Sequence, residues 1–475
     1  MASVFNILRQ SPHDFAPAPD LPAPNGDSGR WVPSRYNVRA TTTDGRLVLW
    51  NTYTSKISVF KAAQKEAIQE LLGRRGIEVK AKGMAKYLYD RGYLVKEGTD
   101  EYRRIQFAFG RQQYRTDRLE LILLASEDCN FRCQYCYEDF ARGTMRKSVR
   151  NGVKKLVEKK IRELRSLSAG WFGGEPLYGF EAIEDLAPFF VEMAEKYSVY
   201  YKSSMTTNGY LLTPEIAGKL LSWRINKFQI TLDGPPAQHD CNRPARDGAG
   251  TFATIFENLR ALRDRPDDFI VDLRVNFDRV NYPHLTELLA LIEQEFKNDH
   301  RFGLRFRAVG QCGGPNDEQL NVCGTDESRQ LQAELRAEAR RRNLKISEDI
   351  RGVSVGSQVC YAARPYSFIV GASGKLMKCT VELDKNDRNV VGHLTEDGNL
   401  VLDQDKMALW TEPAFEQDKK CQKCVVLPNC QGTFCPLIRF ETQQSPCTPL
   451  RRTLKSDLLE ILETTPPAAN ESVRG

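Results

Sequence analysis

Three cysteines in this chain have the residue type and spacing of a metal-cluster loop. Cys129, Cys133 and Cys136 are spaced C-x3-C-x2-C and follow the largely apolar run 119–124, where a buried strand is expected to end. Four cysteines would complete a tetrahedral zinc site or a cubane cluster, whereas three leave one iron of a cubane open to an outside ligand. The triplet therefore predicts an iron–sulfur cluster with one reactive iron.

Two further strand-like stretches end in residues that could bind a small ligand. The sequence Trp-Phe-Gly-Gly-Glu-Pro at 171–176 offers a carboxylate and two glycines, which allow a close backbone approach. Small polar side chains follow at 203–209 and at 231–234. Because side chains at the carboxyl ends of barrel strands gather at one face, we expect these groups to share a site with the cysteines.

A second set of cysteines lies toward the C-terminal end: Cys360, Cys379, Cys421, Cys424, Cys430, Cys435 and Cys447. Structural zinc is the plain interpretation, because paired C-x2-C groups build zinc ribbons and fingers. Seven ligands are also close to two four-ligand clusters. The chain holds 13 cysteines, an odd number in short-spaced groups, which favours metal ligation in a reducing compartment over a disulfide framework.

Composition places the chain among intracellular enzymes. It has 475 residues, 41% of them hydrophobic, with a mild net charge of +6. No apolar run approaches the roughly 18 residues of a membrane span, and the opening residues lack a basic-then-apolar signal pattern. We expect a cytoplasmic protein that binds neither membrane nor nucleic acid.

The elements that must position these residues follow from alternating strand and helix signals. Strand-like runs end near Ser126, Trp171, Met205, Leu232, Phe277 and Val309. The expected fold class is α/β, a partial (β/α)6 TIM-type barrel, with an N-terminal winged-helix-like module and a C-terminal cluster domain. The N-terminal module has two interpretations. It could be a DNA-binding winged helix, or, by its resemblance to the leader-recognition element of enzymes that modify ribosomally made peptides, a sheet whose edge accepts a peptide strand.

The domain boundaries follow from shifts in composition and pattern. We expect a flexible Pro/Ala-rich arm at 1–33, the winged-helix-like module at 34–116, the barrel at 117–325, a linker helix at 326–358, the auxiliary-cluster domain at 359–450, and a C-terminal helix and tail at 451–475.

Together, the triplet and the glycine element resemble the radical SAM superfamily over most of residues 118–310. The resemblance implies that Cys129, Cys133 and Cys136 hold a 4Fe-4S cluster whose open iron binds S-adenosyl-L-methionine (SAM). It further implies that Gly173, Gly174 and Glu175 receive the ammonium group of SAM, and that Ser204 and Asn208 contact its ribose. The catalytic residues beyond the cluster are not assigned.

The C-terminal cysteines resemble the SPASM extension of these enzymes. Cys360-x13-Gly374-x4-Cys379 fits its opening formula, whereas four residues instead of three separate Cys430 from Cys435. By this resemblance the first auxiliary cluster would have the ligands Cys360, Cys379 and Cys435, and the second Cys421, Cys424, Cys430 and Cys447. The first set lacks a fourth cysteine, so either Cys312 or Cys323 supplies it or the position is open to substrate or water.

The resemblance implies a radical SAM maturase that installs a cross-link (thioether, C–C or C–O) or a related modification in a ribosomally synthesised precursor peptide, with an electron donor such as flavodoxin or ferredoxin. One alternative is an anaerobic sulfatase-maturating enzyme, although that group carries an aspartate directly after the second extension cysteine and this chain carries Thr380. The alternative of another class is a zinc-ribbon, winged-helix DNA-binding regulator.

Overall fold

A computed structural model describes residues 30–78, 83–113, 115–140, 142–347, 353–445 and 447–464. These residues divide into two compact units. The terminal unit combines the described parts of 30–115, 353–364 and 411–464, and the central unit combines those of 116–347 and 365–410. Across the described ranges we find no helix that is both long and apolar enough to cross a bilayer.

The terminal unit contains two small antiparallel sheets, with strands and helices numbered in chain order. The strands are β1 (Arg30–Pro33), β2 (Asn37–Thr41), β3 (Leu47–Asn51), β4 (Ile57–Phe60), β5 (Ile77–Glu78) and β6 (Leu94–Lys96). One sheet has the order β5-β1-β6 and the other β2-β3-β4. The helices are α1 (Ala62–Leu71), α2 (Met84–Asp90), α3 (Glu101–Gln113), α12 (Lys419–Gln422), α13 (Leu427–Cys430), α14 (Pro436–Thr442) and α15 (Leu450–Thr464).

The N-terminal segment differs from its sequence prediction in two ways. The predicted arm at 1–33 lies outside the described residues up to position 29, and its last four residues form β1. The predicted module at 34–116 also shares its core with the C-terminal end of the chain: Val38 and Trp50 pack in one buried cluster with Val426, Leu454 and Leu458. Apolar side chains that distant segments bury together cannot form two separate cores, so both ends belong to one unit.

The central unit is built on parallel strands that run in chain order. They are β7 (Arg118–Ser126), β8 (Ser166–Gly173), β9 (Tyr200–Thr207), β10 (Ile225–Thr231), β11 (Ile270–Phe277) and β12 (Phe302–Ala308), and each pairs in parallel with the next. The connecting helices are α4 (Lys147–Lys160), α5 (Phe180–Lys196), α6 (Pro214–Ser222), α7 (Pro236–Asn242), α8 (Phe252–Arg263) and α9 (Leu285–Phe296), and α10 (Thr325–Arg341) follows β12.

Beyond the six predicted strands, the same sheet continues on the other side of β7. The strand β13 (Ser367–Val370) pairs in parallel with β7, and β14 (Lys375–Met377), β15 (Val390–Leu394) and β16 (Leu400–Leu402) extend it antiparallel, before α11 (Gln404–Thr411). The strand that leads to Cys379, β14, therefore belongs to the barrel sheet. The sequence prediction had placed this strand in a separate domain at 359–450.

The sequence explains why these strands form a two-sided core. In β7, every residue from Leu119 to Ser126 is buried, a continuous pattern typical of parallel strands covered on both faces. Helices begin at local signals, as in α6, where the Thr213 hydroxyl accepts a hydrogen bond from Ile216 N at 3.3 Å and Pro214 occupies the first turn. The predicted α/β partial barrel is confirmed.

Candidate active site

The carboxyl ends of the parallel strands surround a cavity of about 320 Å³. Its lining includes Cys129, Cys133 and Cys136 from the loop after β7, Gly173 and Gly174 at the end of β8, and Asn208 after β9. The fold thus brings together the cysteine triplet, both glycines and the asparagine that the sequence singled out. Further lining residues from the neighbouring strands are Gln229, Thr231, Arg274, Asn276 and Arg307.

The two glycines are required by the close packing of β8 against the cysteine loop. Gly173 has a φ of +124°, and a Cβ atom there would lie 2.0 Å from the carbonyl oxygen of Ser126. At Gly174 a Cβ atom would lie 2.5 Å from the carbonyl oxygen of Asp128 and 3.1 Å from Cβ of Cys129. Any larger side chain would push the first cysteine out of place, so the glycine pair sets the position of the cluster loop.

Glu175 is fully buried and faces the end of β9. Its Oε1 accepts hydrogen bonds from Leu177 N at 2.9 Å and Thr207 Oγ1 at 2.7 Å, and its Oε2 accepts one from Asn208 N at 2.7 Å. Burial raises the pKa of this carboxyl to about 7, and these hydrogen bonds oppose the shift. The carboxylate thereby holds Asn208 at the cavity wall.

Two of the predicted SAM contacts are not among the residues that line the cavity. Glu175 lies behind the wall, and Ser204 is 2% exposed, on the same face of β9 as the lining residue Thr206 but one step further from the strand end. Their assignment to the ammonium group and the ribose stays a prediction from the resemblance.

A buried polar network fixes the cysteine loop from the far side of the barrel. The Tyr135 hydroxyl donates a hydrogen bond to Asp233 and accepts one from Arg243 Nη1 at 2.6 Å and one from Asn276 Nδ2 at 3.0 Å. Asp233 also accepts a hydrogen bond from Asn276 N at 3.0 Å and lies 3.9 Å from Arg243. These groups join the loop to β10, α7 and β11.

Burial shifts the pKa values in this network. It raises the pKa of the Asp233 carboxyl, and the charge of Arg243 and the hydrogen bond from Tyr135 oppose that shift. Sequence reasoning placed Asp233 at a strand end but gave it no role, and it did not single out Arg243 or Asn276. Their signal in the sequence is weak, because it consists of single polar residues in or just after a strand or, for Arg243, just after a helix.

The three thiols are poorly suited to ionise without a metal. Desolvation raises the pKa of Cys136 to about 12 and also raises the pKa values of Cys129 and Cys133. Bound iron reverses this effect, because a metal cation compensates the buried negative charge of its thiolate ligands. Buried thiols that share one cavity therefore fit a cluster whose irons supply positive charge.

The second cysteine set divides between the two units. Cys421, Cys424, Cys430 and Cys447 line one cavity of about 750 Å³ in the terminal unit, and Arg451 Nη1 donates a hydrogen bond to Cys447 Sγ at 3.2 Å. Of the other predicted set, Cys360 and Cys435 belong to the terminal unit and Cys379 to the central unit, so this set stays a prediction. Cys312 lines the cavity of the central unit, whereas Cys323 does not.

Among the described residues, no group of three His, Cys, Asp or Glu side chains has the geometry of a site for a single metal ion. In a cubane cluster each thiolate binds a different iron, so its cysteines stand further apart than the ligands of one ion.

Comparison with known proteins agrees with this site. Residues 95–292 match the family described as the Radical SAM superfamily. Residues 95–292 therefore form a radical SAM domain. The match implies a 4Fe-4S cluster and SAM as cofactors, and the cysteine triplet with the adjoining glycines is the part of this domain that fits them.

Among curated relatives, the radical SAM cyclopropyl synthase TigE of Paramaledivibacter caminithermalis is 23% identical over 217 residues, 41% of this chain and 44% of that protein. A cysteine-type anaerobic sulfatase-maturating enzyme of Clostridium perfringens is 33% identical over 152 residues, 28% of this chain and 38% of that protein. The chain thus matches less than half the length of these relatives. The radical SAM domain is the shared part.

A solved structure shares the fold over a larger part of the chain. The structure of native anSMEcpe with bound AdoMet and Cp18Cys peptide has a TM-score of 0.52 and 19% identity, covering 72% of this chain and 96% of that chain. At 19% identity, the similarity shows a shared fold and no more. The shared fold covers a larger part of the chain than residues 95–292, which match the family.

Proposed function

We propose that this protein is a radical SAM maturase that abstracts a hydrogen atom from a ribosomally synthesised peptide and installs a cross-link or related modification. The observation that carries the proposal is the single cavity lined by the cysteine triplet, the glycine pair and Asn208 at the strand ends. When bound there, the cluster and SAM supply a 5′-deoxyadenosyl radical by reductive cleavage of SAM, with the electron coming from a donor such as flavodoxin or ferredoxin.

The protein's own residues position and shield that chemistry. Gly173 and Gly174 leave the cavity open to a ligand at the first cysteine, and Glu175 holds Asn208 beside it. Phe131 is fully buried and Phe172 is 5% exposed, and both line the cavity, so they exclude water from the cluster loop. Exclusion of water protects a reactive intermediate from side reactions.

Two observations support a peptide as the substrate. The strand β4 is an outer strand of its sheet within the described residues, and an outer strand is a template for an added peptide strand. Among proteins of similar fold, anSMEcpe is seen with a bound peptide. We infer that the leader of the precursor peptide docks on the terminal unit and that its core segment enters the barrel cavity.

The SPASM-like cysteines fit a role in the second half of the reaction. The four that line one cavity, Cys421, Cys424, Cys430 and Cys447, would hold an auxiliary 4Fe-4S cluster. A cross-link removes two hydrogen atoms from the substrate overall, so an electron must leave the substrate radical, and an auxiliary cluster would accept it. We assign Cys360, Cys379 and Cys435 to a further cluster on the resemblance alone.

Sulfatase maturation is the second candidate, and the 33% identity to the Clostridium perfringens enzyme favours it. Against it stands Thr380, which is fully buried where those enzymes carry an aspartate that acts as a base. A hydroxyl does not replace a carboxylate as a proton acceptor near neutral pH. The DNA-binding alternative requires the cysteine triplet to be a coincidence, and the radical SAM match over residues 95–292, which contain the triplet, argues against that premise.

The experiment that tests the proposal is anaerobic reconstitution with iron and sulfide, followed by assay of 5′-deoxyadenosine formed from SAM and dithionite. We expect iron and acid-labile sulfide instead of zinc, and loss of 5′-deoxyadenosine in the triple variant Cys129→Ala, Cys133→Ala, Cys136→Ala. The matched control is Cys241→Ala, because that thiol is exposed and belongs to neither predicted set. Wild-type cleavage of SAM by the triple variant would contradict the assignment.

A further inference from the structure

The wall of the barrel cavity contains two polar side chains that neither the cluster nor the SAM assignment uses. Thr206 of β9 and Gln229 of β10 are register partners in neighbouring parallel strands, so their side chains lie on one face of the sheet, and both line the cavity. Within the described residues, the buried atoms Thr206 Oγ1 and Gln229 Oε1 have no hydrogen-bond partner. Gln229 is 1% exposed, so its amide is shielded from bulk water.

The protein itself satisfies the polar side chains on the other face of β9. Ser203 Oγ donates a hydrogen bond to Ala169 O at 2.9 Å, and Thr207 Oγ1 donates one to Glu175 Oε1 at 2.7 Å. Most buried polar groups in folded proteins have such a partner, and each exception requires an explanation. On the cavity face, a bound ligand supplies that explanation, because both unpartnered side chains border the space that a ligand would occupy.

We propose that Thr206 and Gln229 form a subsite that binds the side-chain carboxamide of an Asn or Gln residue of the peptide substrate. This inference rests on the proposed function and deepens it by naming the kind of substrate residue that enters the barrel. The two side chains would then determine specificity.

A carboxamide matches both side chains chemically. The Gln229 amide carries an acceptor and two donors, and a second primary amide forms two parallel hydrogen bonds with it. The Thr206 hydroxyl both donates and accepts, so it can bond whichever N–H or carbonyl group of the ligand faces it. A hydrocarbon side chain would leave both polar atoms unsatisfied, which is unfavourable away from water.

Charged side chains match the pair less well. A carboxylate has no N–H or O–H group to donate to Gln229 Oε1. A lysine ammonium group needs a carboxylate partner when it leaves water, and neither Thr206 nor Gln229 supplies one. A neutral carboxamide offers a donor and an acceptor without a charge that must be desolvated.

The depth of the pair favours the substrate over SAM as the source of this group, although the adenine ring of SAM also carries an amino donor next to an acceptor. The predicted SAM contacts Gly174 and Asn208 follow the last residues of β8 and β9, whereas Gln229 lies two residues before the end of β10. At about 3.3 Å per residue, Gln229 lies roughly 7 Å inside the strand end. Ser204, the predicted ribose contact, does not line the cavity.

The subsite is nevertheless close to the cysteine triplet. Asn208 comes two residues after Thr206, and its Nδ2 donates a hydrogen bond to Cys129 Sγ at 3.9 Å. One side-chain layer therefore separates the subsite from the first cysteine. A carboxamide bound at Thr206 and Gln229 would hold the neighbouring carbons of the substrate near the cluster loop, which makes it a positioning group for hydrogen abstraction.

The test uses the reconstituted full-length protein with SAM bound and three peptides, acetyl-Gly-Gly-X-Gly-Gly-N-methylamide, in which X is Gln, Glu or Met. The methylated end leaves the side chain of X as the only source of a primary amide. Binding is measured by saturation-transfer NMR. We expect the wild type to bind the Gln peptide about tenfold more tightly than either of the other two, which is the scale of two neutral hydrogen bonds.

Two variants locate the preference. Gln229→Met keeps the length of the side chain and removes its polar atoms, so it should abolish the preference for Gln. Because Gln229 Oε1 has no partner among the described residues, this change should not lower the thermal unfolding midpoint of the cluster-free protein. Gln332→Met is the matched control, since Gln332 donates to Phe306 O at 2.8 Å and does not line the cavity, and it should keep the preference.

Four results would overturn the proposal. The wild type could bind the Gln and Met peptides equally, which would leave bound water as the partner of the two atoms. It could bind the Gln and Glu peptides equally, which would remove the requirement for a neutral group. Gln229→Met could weaken SAM about tenfold, which would identify adenine as the bound group. A lower unfolding midpoint for Gln229→Met would assign this side chain a structural role.

Two further measurements keep the result interpretable. Iron content and circular dichroism check that each variant is folded, and Thr206→Val repeats the test if Gln229→Met is not. If neither variant folds, the comparison of the three peptides on the wild type decides. Formation of 5′-deoxyadenosine without any peptide reports the proposed function separately, so a protein that cleaves SAM but shows no preference for Gln contradicts the subsite alone.

Discussion

Gly174 and Glu175 show how single residues determine the shape of the site. Gly174 has no room for a side chain, because atoms of Asp128 and Cys129 lie against the position that its Cβ atom would take. The other carries a carboxyl group that is 0% exposed and that accepts three hydrogen bonds at the end of β9. Gly174 acts on the position of the cysteine loop, and Glu175 acts on the position of Asn208.

At Gly174, we expect Ala to displace the cysteine loop and to weaken SAM binding about tenfold or more, because the 2.5 Å approach to the carbonyl of Asp128 cannot be kept. Equilibrium dialysis of SAM with the reconstituted protein measures this. Gly310→Ala is the matched control, because Gly310 lines the same cavity and a Cβ atom there would meet nothing within 4 Å. Equal SAM affinity in the two variants would contradict the steric argument.

Glu175 predicts a pH dependence of stability. Its pKa is about 7 in the folded protein and about 4.3 in an unfolded chain, so the folded state binds the proton more tightly. Its contribution is fully present below about pH 4.3 and is lost as the pH rises through 7. We expect the free energy of unfolding of the cluster-free wild type, measured in urea, to fall between pH 5 and pH 8. This fall should be on the order of 3 kcal/mol larger than the fall for Glu175→Gln.

The comparison of two proteins matters for this prediction, because other buried groups titrate in the same range. Burial also raises the pKa of Glu138, to about 8, and the free thiols ionise at higher pH. These contributions are common to wild type and variant and cancel in the difference. Parallel stability profiles for the two proteins would show that Glu175 does not carry the predicted shift.

At the scale of elements, β4 is the strand best placed to accept a peptide. Asn51 N bonds Lys56 O, and since hydrogen-bonded and non-bonded pairs alternate in an antiparallel ladder, the N–H groups of Ile57 and Val59 point away from β3. The Val59 side chain is 43% exposed. On the opposite edge, α15 packs against β2 in one buried cluster, so β4 is the more open edge.

We expect Val59→Pro to weaken binding of the precursor peptide roughly tenfold, because proline removes an outward N–H donor and leaves the β3–β4 ladder intact. Fluorescence anisotropy with the full-length protein measures the affinity. Val59→Thr is the matched control, since it changes the same exposed side chain but keeps the donor. Val38→Pro is less informative. Hydrogen-bonded and non-bonded pairs alternate along β2 and β3, and this places the Val38 N–H inside the β2–β3 ladder, so proline there would disrupt the sheet itself. If Val59→Pro binds the precursor peptide as tightly as the wild type does, the peptide does not bind at the edge of β4.

At the scale of the whole molecule, two cavities hold two cysteine sets in different units. The triplet lines the barrel cavity of the central unit, and Cys421, Cys424, Cys430 and Cys447 line the cavity of the terminal unit. In the second cavity, the hydrogen bond to Cys447 raises the pKa of Arg451, and burial raises the pKa of Cys430 to about 12. A separate site is consistent with a separate step.

We therefore expect Cys430→Ala to lower peptide modification about tenfold or more, while 5′-deoxyadenosine still forms at close to the wild-type rate. The physical reason is that SAM binds at the triplet, whereas the product-forming oxidation requires a second electron acceptor. Mass spectrometry of the peptide and chromatography of 5′-deoxyadenosine measure the two activities, with Cys241→Ala as the control. Equal loss of both activities in a folded Cys430→Ala protein would contradict separate roles.

The sequence by itself determined the chemistry and the barrel. Cys129, Cys133 and Cys136 are close along the chain, so their spacing alone predicts a cluster loop, and the apolar run of β7 before them predicts the strand that holds it. Gly173 and Gly174 were identified in the same way, because a local motif at a strand end carries its own signal. The predicted strand ends lie within two residues of the observed ones for the same reason.

Only the tertiary structure decided which residues share a site across the barrel and which segments share a core. Tyr135 meets Asp233, Arg243 and Asn276 from distant parts of the chain, so no local pattern marks them. Trp50 packs with Leu454 in the same way. Burial and hydrogen bonding depend on which segments the fold places together, and a sequence pattern records only neighbours along the chain.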